Sequence, residues 1–281
     1  MFATNPFAEL SAYIPVAMMQ GYIVLMVALV IIGTILDMLH KQSAKYFFLN
    51  AEKAKKDAKR EVGAGEKVAI AAQVLLVEVA TSGEFKNIKR RLSHLLTMWG
   101  TIIFVAATAV LIFKYPTTAT PEIWPQLWHV GALMLALGGY WFWFFIRVDV
   151  SAEGLPWYRL ERADLFILSL LATATFALLW SYTQYNGIAG WSTLFLILFA
   201  ASGVVLFGGV YWSKFAHMFF KPAAAFQKRV TRADGSREGL PPDYDLTDPQ
   251  VQKMFPDVPM YMGKNPPYMG HGIKREPAKH Y

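Results

Sequence analysis

No charged residue interrupts the chain over 165–213. About 20 apolar helical residues cross a hydrocarbon layer of roughly 30 Å, so a run of that length reads as two membrane spans. The polar stretch Gln184-Tyr185-Asn186-Gly187 divides it, because Asn-Gly is a strong turn signal. The stretches 10–36, 92–113 and 123–146 are also free of charge, each close to one membrane thickness long. The sequence therefore predicts an all-α membrane bundle of about five spans, near 13–38, 92–114, 124–147, 164–185 and 190–216. Trp124, Trp128, Tyr182, Tyr185 and Trp191 cluster at one set of ends, with Trp157, Tyr158 and Trp212 near the other, as in two interfacial aromatic belts.

Charge gives the expected orientation. With five alternating spans, only Lys114 of the 27 Lys and Arg residues falls on one side. The positive-inside rule then predicts a periplasmic N-terminus, a cytoplasmic C-terminus and residence in a bacterial inner membrane. The net charge of +7 belongs to loops and tail, which argues against a nucleic-acid-binding face. The first apolar run is too long for a signal-peptide core and reads as a retained span. Without cysteine, disulfides, thiolate zinc sites and all-cysteine iron–sulfur clusters are excluded.

Four segments follow: 1–39 with the first span, a connector 40–91, a four-helix bundle 92–217 and a Pro-rich tail 218–281. The strong helix formers with mixed charge over 51–60 predict a solvated helix in the connector. The following 68–79, carrying Gln73 and Glu78, is too short to span and is expected along the interface or against a partner. Beyond Phe220, Pro222, Pro241, Pro242, Pro249, Pro256, Pro259, Pro266, Pro267 and Pro277 are expected to break regular structure. Phe255, Met260, Tyr261, Met262, Tyr268 and Met269 suit a tail that orders on a partner; a disordered tail is the plainer reading.

Of six histidines, His40, His271 and His280 lie outside the spans, while His94, His129 and His217 lie at or inside them. His94 opens the second span after Arg90-Arg91, and His217 closes the fifth after Lys214, so opposite chain directions bring both to one depth on the basic side. A b-type haem needs two axial imidazoles from facing helices and cations near its propionates, and Arg90, Arg91, Arg147 and Lys214 lie near that edge. An interfacial histidine bonded to backbone or headgroups fits the same positions. His129 has no second imidazole at its depth and is expected to pack or to touch quinone. Gly100, Gly138, Gly139, Gly203, Gly208 and Gly209 suit either a flat cofactor or close helix packing. Phosphate loops, H-E-x-x-H and nucleophile arrangements are missing, and the lack of midplane carboxylates argues against ion-coupled transport.

Two stretches, Arg90-Arg91-Leu-Ser-His94-Leu-Leu-Thr-Met-Trp-Gly100 and Tyr211-Trp-Ser-Lys214-Phe-Ala-His217, resemble the cytochrome b subunit of respiratory nitrate reductase. They also resemble related membrane subunits of quinone-interacting oxidoreductases in sulfur metabolism. The resemblance covers roughly 90–230 and implies axial roles for His94 and His217. That family carries a second haem, whose ligands correspond to the positions ten after His94 and eighteen before His217. These are Phe104 and Phe199, so the resemblance implies one haem b and not two.

The five-span pattern with basic connector and Pro-rich tail is most similar to the membrane anchors of dissimilatory adenylylsulfate reductases. That similarity implies a soluble cytoplasmic flavin and iron–sulfur partner, oxidising sulfite with AMP, whose electrons this chain passes to quinone. The chain would then be an electron-transfer subunit and not an enzyme on its own. The alternative from the residues is a haem-free scaffold that only tethers the soluble enzyme.

Overall fold

The structure is a computed structural model that describes residues 1–41, 43–83, 85, 87–117, 120–149, 153–237 and 248–254. It is all-helical, with no strand among the described residues. Five helices are long and apolar enough to cross a membrane, as expected of a multi-pass membrane protein. They are α2 (Val16–Lys41), α5 (Ile88–Phe113), α6 (Ile123–Trp141, extended by a π turn over Phe142–Ile146), α7 (Leu165–Tyr185) and α8 (Ala189–Gly208). Short α1 (Pro6–Leu10) precedes them, α3 (Ser43–Lys56) and α4 (Ala64–Gln73) form the connector, and α9 (His217–Ala233) and α10 (Pro249–Met254) follow.

Neighbours in sequence pack side by side, α5 on α6 and α7 on α8, while α6 joins α7 and α2 bridges α8 and α5. Glycine sets the closest contact. A Cβ on Gly100 would lie 2.5 Å from Leu135 N, and one on Gly131 2.6 Å from Phe104 N, so the α5 and α6 backbones touch only because neither residue has a side chain. At the next crossing toward the basic end, Ser93 Oγ donates to Gly138 O at 2.8 Å.

The end of the bundle near Lys114 is plugged by α1. Asn5 caps this helix through Phe7 N and ties it to Tyr115 O at 2.9 Å, while Gln184 Nε2 donates to Pro6 O at 2.8 Å. Phe7 thereby enters the bundle against Trp128 and Trp180.

The opposite, basic end carries a cap. There the connector and the chain after α8 dock on each other. α9 lies against α3, α4 and the π turn Val74–Val79. Arg229 pairs with Glu78 at 2.5 Å, and the backbone N–H groups of Lys59 and Arg60 donate to Asp234 O. The 68–79 stretch is not a span, as expected, and it packs on α9.

Two boundaries differ from the sequence expectation. The fifth span stops at Gly208 and not near 216: Gly209 N donates the last helical bond, to Val205 O, and Ser213 accepts from Phe215 N to hold the turn that follows. Pro222 does not break the chain. It lies in the second turn of α9, where it forfeits one backbone bond while the connector supplies packing on the other side. The tail residues Phe255, Met260, Tyr261, Met262, Tyr268 and Met269, with Pro241, Pro242, Pro256, Pro259, Pro266, Pro267, Pro277, His271 and His280, lie outside the described residues.

Candidate functional site

His94 is placed by the start of α5. Asn87 Oδ1 accepts from the backbone N–H groups of Lys89 and Arg90, fixing where the helix begins and leaving His94 in its second turn. Three successive residues of the turn before α5 then grip different sides of that helix. Ala80 O accepts from Trp99 Nε1 at 3.0 Å, Thr81 O accepts from Arg91 Nε at 2.7 Å, and Ser82 Oγ lies 2.8 Å from His94 Nδ1. Ser82 is 1 % exposed and holds a left-handed backbone, φ 49°, which a serine adopts at a cost. The strain is maintained by Gly83 N donating to Val77 O at 3.0 Å and by the bond to His94.

His217 does not close the fifth span; it opens α9 after the 209–216 turn. Its Nδ1 donates to Lys214 O, so Nε2 carries the lone pair. Its ring packs edge-on against Phe166 at the start of α7. Contacts across the bundle connect it to the His94 segment. Ser93 meets Gly138, Gly139 faces Leu171 and Ile167 of α7, and Phe166, the residue before Ile167, touches His217. These contacts connect the two imidazoles through α6 and α7 at the basic end of the bundle. Phe85 links their segments: its ring centroid is 5.0 Å from that of His94 and 5.5 Å from Nζ of Lys221, one turn beyond His217.

The four expected cations divide. Arg147 is fully buried, and its guanidinium is taken by Leu155 O, Pro156 O, Arg159 O and Asp164 Oδ2. It is a structural cation and not a propionate partner, because none of its Nη donors points to open space. Arg91 is held through Nε to Thr81 O. Arg90 lies over Phe85, 5.3 Å from the ring centroid, and 3.9 Å from Glu153, on the His94 side. Lys214 is exposed one turn from His217.

The far half of the bundle is filled. Phe104 and Phe199 meet with ring centroids 6.2 Å apart, and Trp128, Trp180 and Phe7 complete the cluster. Trp128 donates through Nε1 to Thr108 Oγ1 at 2.9 Å. His129 is fully buried beside it, with Nδ1 bonded to Pro125 O and Nε2 to Ser181 Oγ. Both of its nitrogens are satisfied, so it packs, and a quinone contact would have to displace Ser181. The glycines considered as cofactor gaps serve packing: Gly138 against Ser93 and Leu96, Gly139 against Leu171, Gly203 against Tyr22, Gly208 beside Leu29 and Gly209 against Val205 and Leu165.

Sequence reading missed Ser82, Phe85 and Phe166. A Ser-Gly pair between two helical stretches is a turn signal, but nothing local says that the serine turns inward to an imidazole. No family model, curated protein or solved structure matches the chain.

Proposed function

We propose that this chain is the inner-membrane anchor and electron-transfer subunit of an oxidoreductase complex, with one haem b held between His94 and His217 and with its basic end in the cytoplasm. The observation that carries the reading is the shared arrangement of the two imidazoles. Each lies at the basic end of the bundle, and each has Nδ1 engaged by a neighbouring group, Ser82 Oγ for His94 and Lys214 O for His217. Metal-ligating histidines are held in this way, because the second nitrogen fixes ring orientation and tautomer while Nε2 binds the metal.

The donor chemistry fits the group. Two neutral imidazoles suit haem iron, and Arg90 and Lys214 are the cations available for its propionates. Bound haem supplies one-electron transfer between a soluble partner and quinone. This chain's own residues hold and orient: Ser82 and the Lys214 carbonyl fix the rings, Phe85 and Phe166 shield them from water, and the cap offers the docking platform. A flavin and iron–sulfur partner of the adenylylsulfate reductase type rests on the motif resemblance, and so does delivery of electrons to quinone.

The test is a reduced-minus-oxidised spectrum of the purified full chain, with His94→Ala and His217→Ala alongside. A b-type band present in the parent and lost in both variants is expected. A parent without such a band, or variants that retain it unchanged, would refute haem binding. A second reading is a haem-free tether, favoured by the end of α8 at Gly208, which leaves His217 off the span. It predicts a chain that retains a soluble partner at the membrane and shows no pigment.

A further inference from the structure

The connector turn divides α5 into two sides. His94 faces one; the other carries Leu92, Leu95, Leu96, Trp99 and Ile103, the i, i+3, i+4, i+7, i+11 pattern of a single face. With Ala80, Thr81 and Met134 of α6 these residues line an open groove of about 500 Å³, almost wholly apolar. It runs along α5 for about 16 Å, from the basic end toward mid-membrane. Trp99 is fixed in its wall by the bond to Ala80 O.

Two features say what lies in it. The groove opens on a face of a membrane-spanning helix, so hydrocarbon chains are its surroundings. Its upper end continues onto the connector, where Val68, Leu75 and Leu76 are 70 %, 56 % and 66 % exposed along one side of α4 and the π turn. An exposed apolar stripe of this kind on a short helix beside a span suits the boundary between headgroups and acyl chains. Arg91, half-exposed, is bonded through Nε to O of the lining residue Thr81, and its Nη1 and Nη2 have no partner among the described residues. A guanidinium presenting two donors at the headgroup level above an apolar groove matches a phosphate with a chain below it.

We infer that the groove between the connector turn, α5 and α6 is a binding site for one anionic phospholipid of the adjacent leaflet, its phosphate on the Nη donors of Arg91 and one acyl chain along Leu92, Leu96, Trp99 and Met134. The connector helix α4 and the π turn after it lie in the same leaflet, with Leu75 and Leu76 of the turn in the acyl region. Its apolar wall, Leu92, Leu96, Trp99 and Ile103, is on the side of α5 opposite His94, so the site does not rest on the haem reading. It accounts for the two Nη groups of Arg91, which have no partner among the described residues.

The experiment is native mass spectrometry of the full chain released from mild detergent after reconstitution in vesicles of phosphatidylglycerol and phosphatidylcholine. One retained phosphatidylglycerol per chain is expected. Arg91→Ala lowers retention at least about tenfold, the equivalent of one charge-assisted bond, and Arg91→Lys retains most of it. Leu96→Trp, which fills the groove while leaving Arg91 in place, also abolishes retention. Helix content by circular dichroism shows that each variant is folded. Equal retention in parent and Leu96→Trp, no preference for the anionic lipid, or a retained quinone in place of a phospholipid would overturn the assignment.

Discussion

Arg147 and Asp164 clasp the loop between α6 and α7, and removing the clasp has a calculable cost. The guanidinium is 0 % exposed, stands over the Trp143 ring with its carbon 4.3 Å from the centroid, and has Nη2 2.5 Å from Asp164 Oδ2. Its remaining Nη bonds go to three backbone carbonyls within 155–159. Asp164 Oδ2 also accepts from Glu161 N at 2.8 Å. Asp164→Asn keeps the side chain's shape and removes its charge, which leaves a buried cation facing neutral acceptors alone. Breaking a buried pair in this way costs about 3–5 kcal/mol. At about 2–4 °C per kcal/mol, that lowers the unfolding midpoint by between about 6 and 20 °C.

Thermal unfolding followed by intrinsic tryptophan fluorescence in one detergent measures it. Arg147→Met removes the same pair and strands the three carbonyls, so it falls in the same range. The double substitution costs less than the sum of the two, because each single change already forfeits the interaction. Arg147→Lys is intermediate, since an ammonium cannot fork to four acceptors. A midpoint for Asp164→Asn within about 2 °C of the parent would refute the claim that this pair organises the basic end.

On the proposed haem reading, Ser82→Ala, which removes the bond to His94 Nδ1, shifts or broadens the b-type band without abolishing it, whereas loss of all pigment would assign Ser82 a folding role. Phe104→Ala opens a cavity among Phe199, Trp128 and Trp180 and destabilises by about 3–5 kcal/mol, read by the same thermal assay. Phe104→His with Phe199→His adds no second b-type band, because Trp128 and Trp180 still occupy the space. In the cap, Arg60 holds the Glu66 carboxyl below its ordinary range through a hydrogen bond and charge. The contribution of that pair is therefore present above pH ~4.5 and lost as pH falls through the lowered value, which hydrogen exchange of α4 across an acid series would register. Glu78→Gln weakens the half-exposed bridge to Arg229 by up to about 1 kcal/mol, and faster proteolysis after α9 is the expected readout.

The five spans were legible because a helix in lipid must carry its apolar character all round, and the gaps between charges report that directly. The turn at Asn186-Gly187 was legible for a local reason too: Gly187 holds φ +67° behind the polar end of α7. The cap was not legible. Its parts lie more than 150 residues apart, and what joins them is a pair such as Glu78 with Arg229 and backbone bonds from Lys59 and Arg60 to Asp234. Each of these residues alone looks like an ordinary solvated charge. The same holds for Arg147. Read by position, it is one of four cations near the span ends; only the path of 155–164 shows that every Nη donor is spent.

The positions of Phe104 and Phe199 connect the motif resemblance to packing. The resemblance pairs these two residues by counting from His94 and His217, and the bundle brings their rings into contact from α5 and α8. A register error of one residue on either helix would rotate a ring by about 100° and separate them. The contact fixes how α5 and α8 meet at the far end of the bundle. At the basic end the same count meets a change in architecture, since α8 stops at Gly208 and a buried turn through Val210, Phe215 and Ala216 carries the chain on to His217. The turn folds back onto Leu135, Leu170 and Leu206 and so keeps His217 against α7. A helix break before a proposed ligand would ordinarily argue against it. Here the break is packed into the bundle, and the imidazole it delivers is already oriented by Lys214 O.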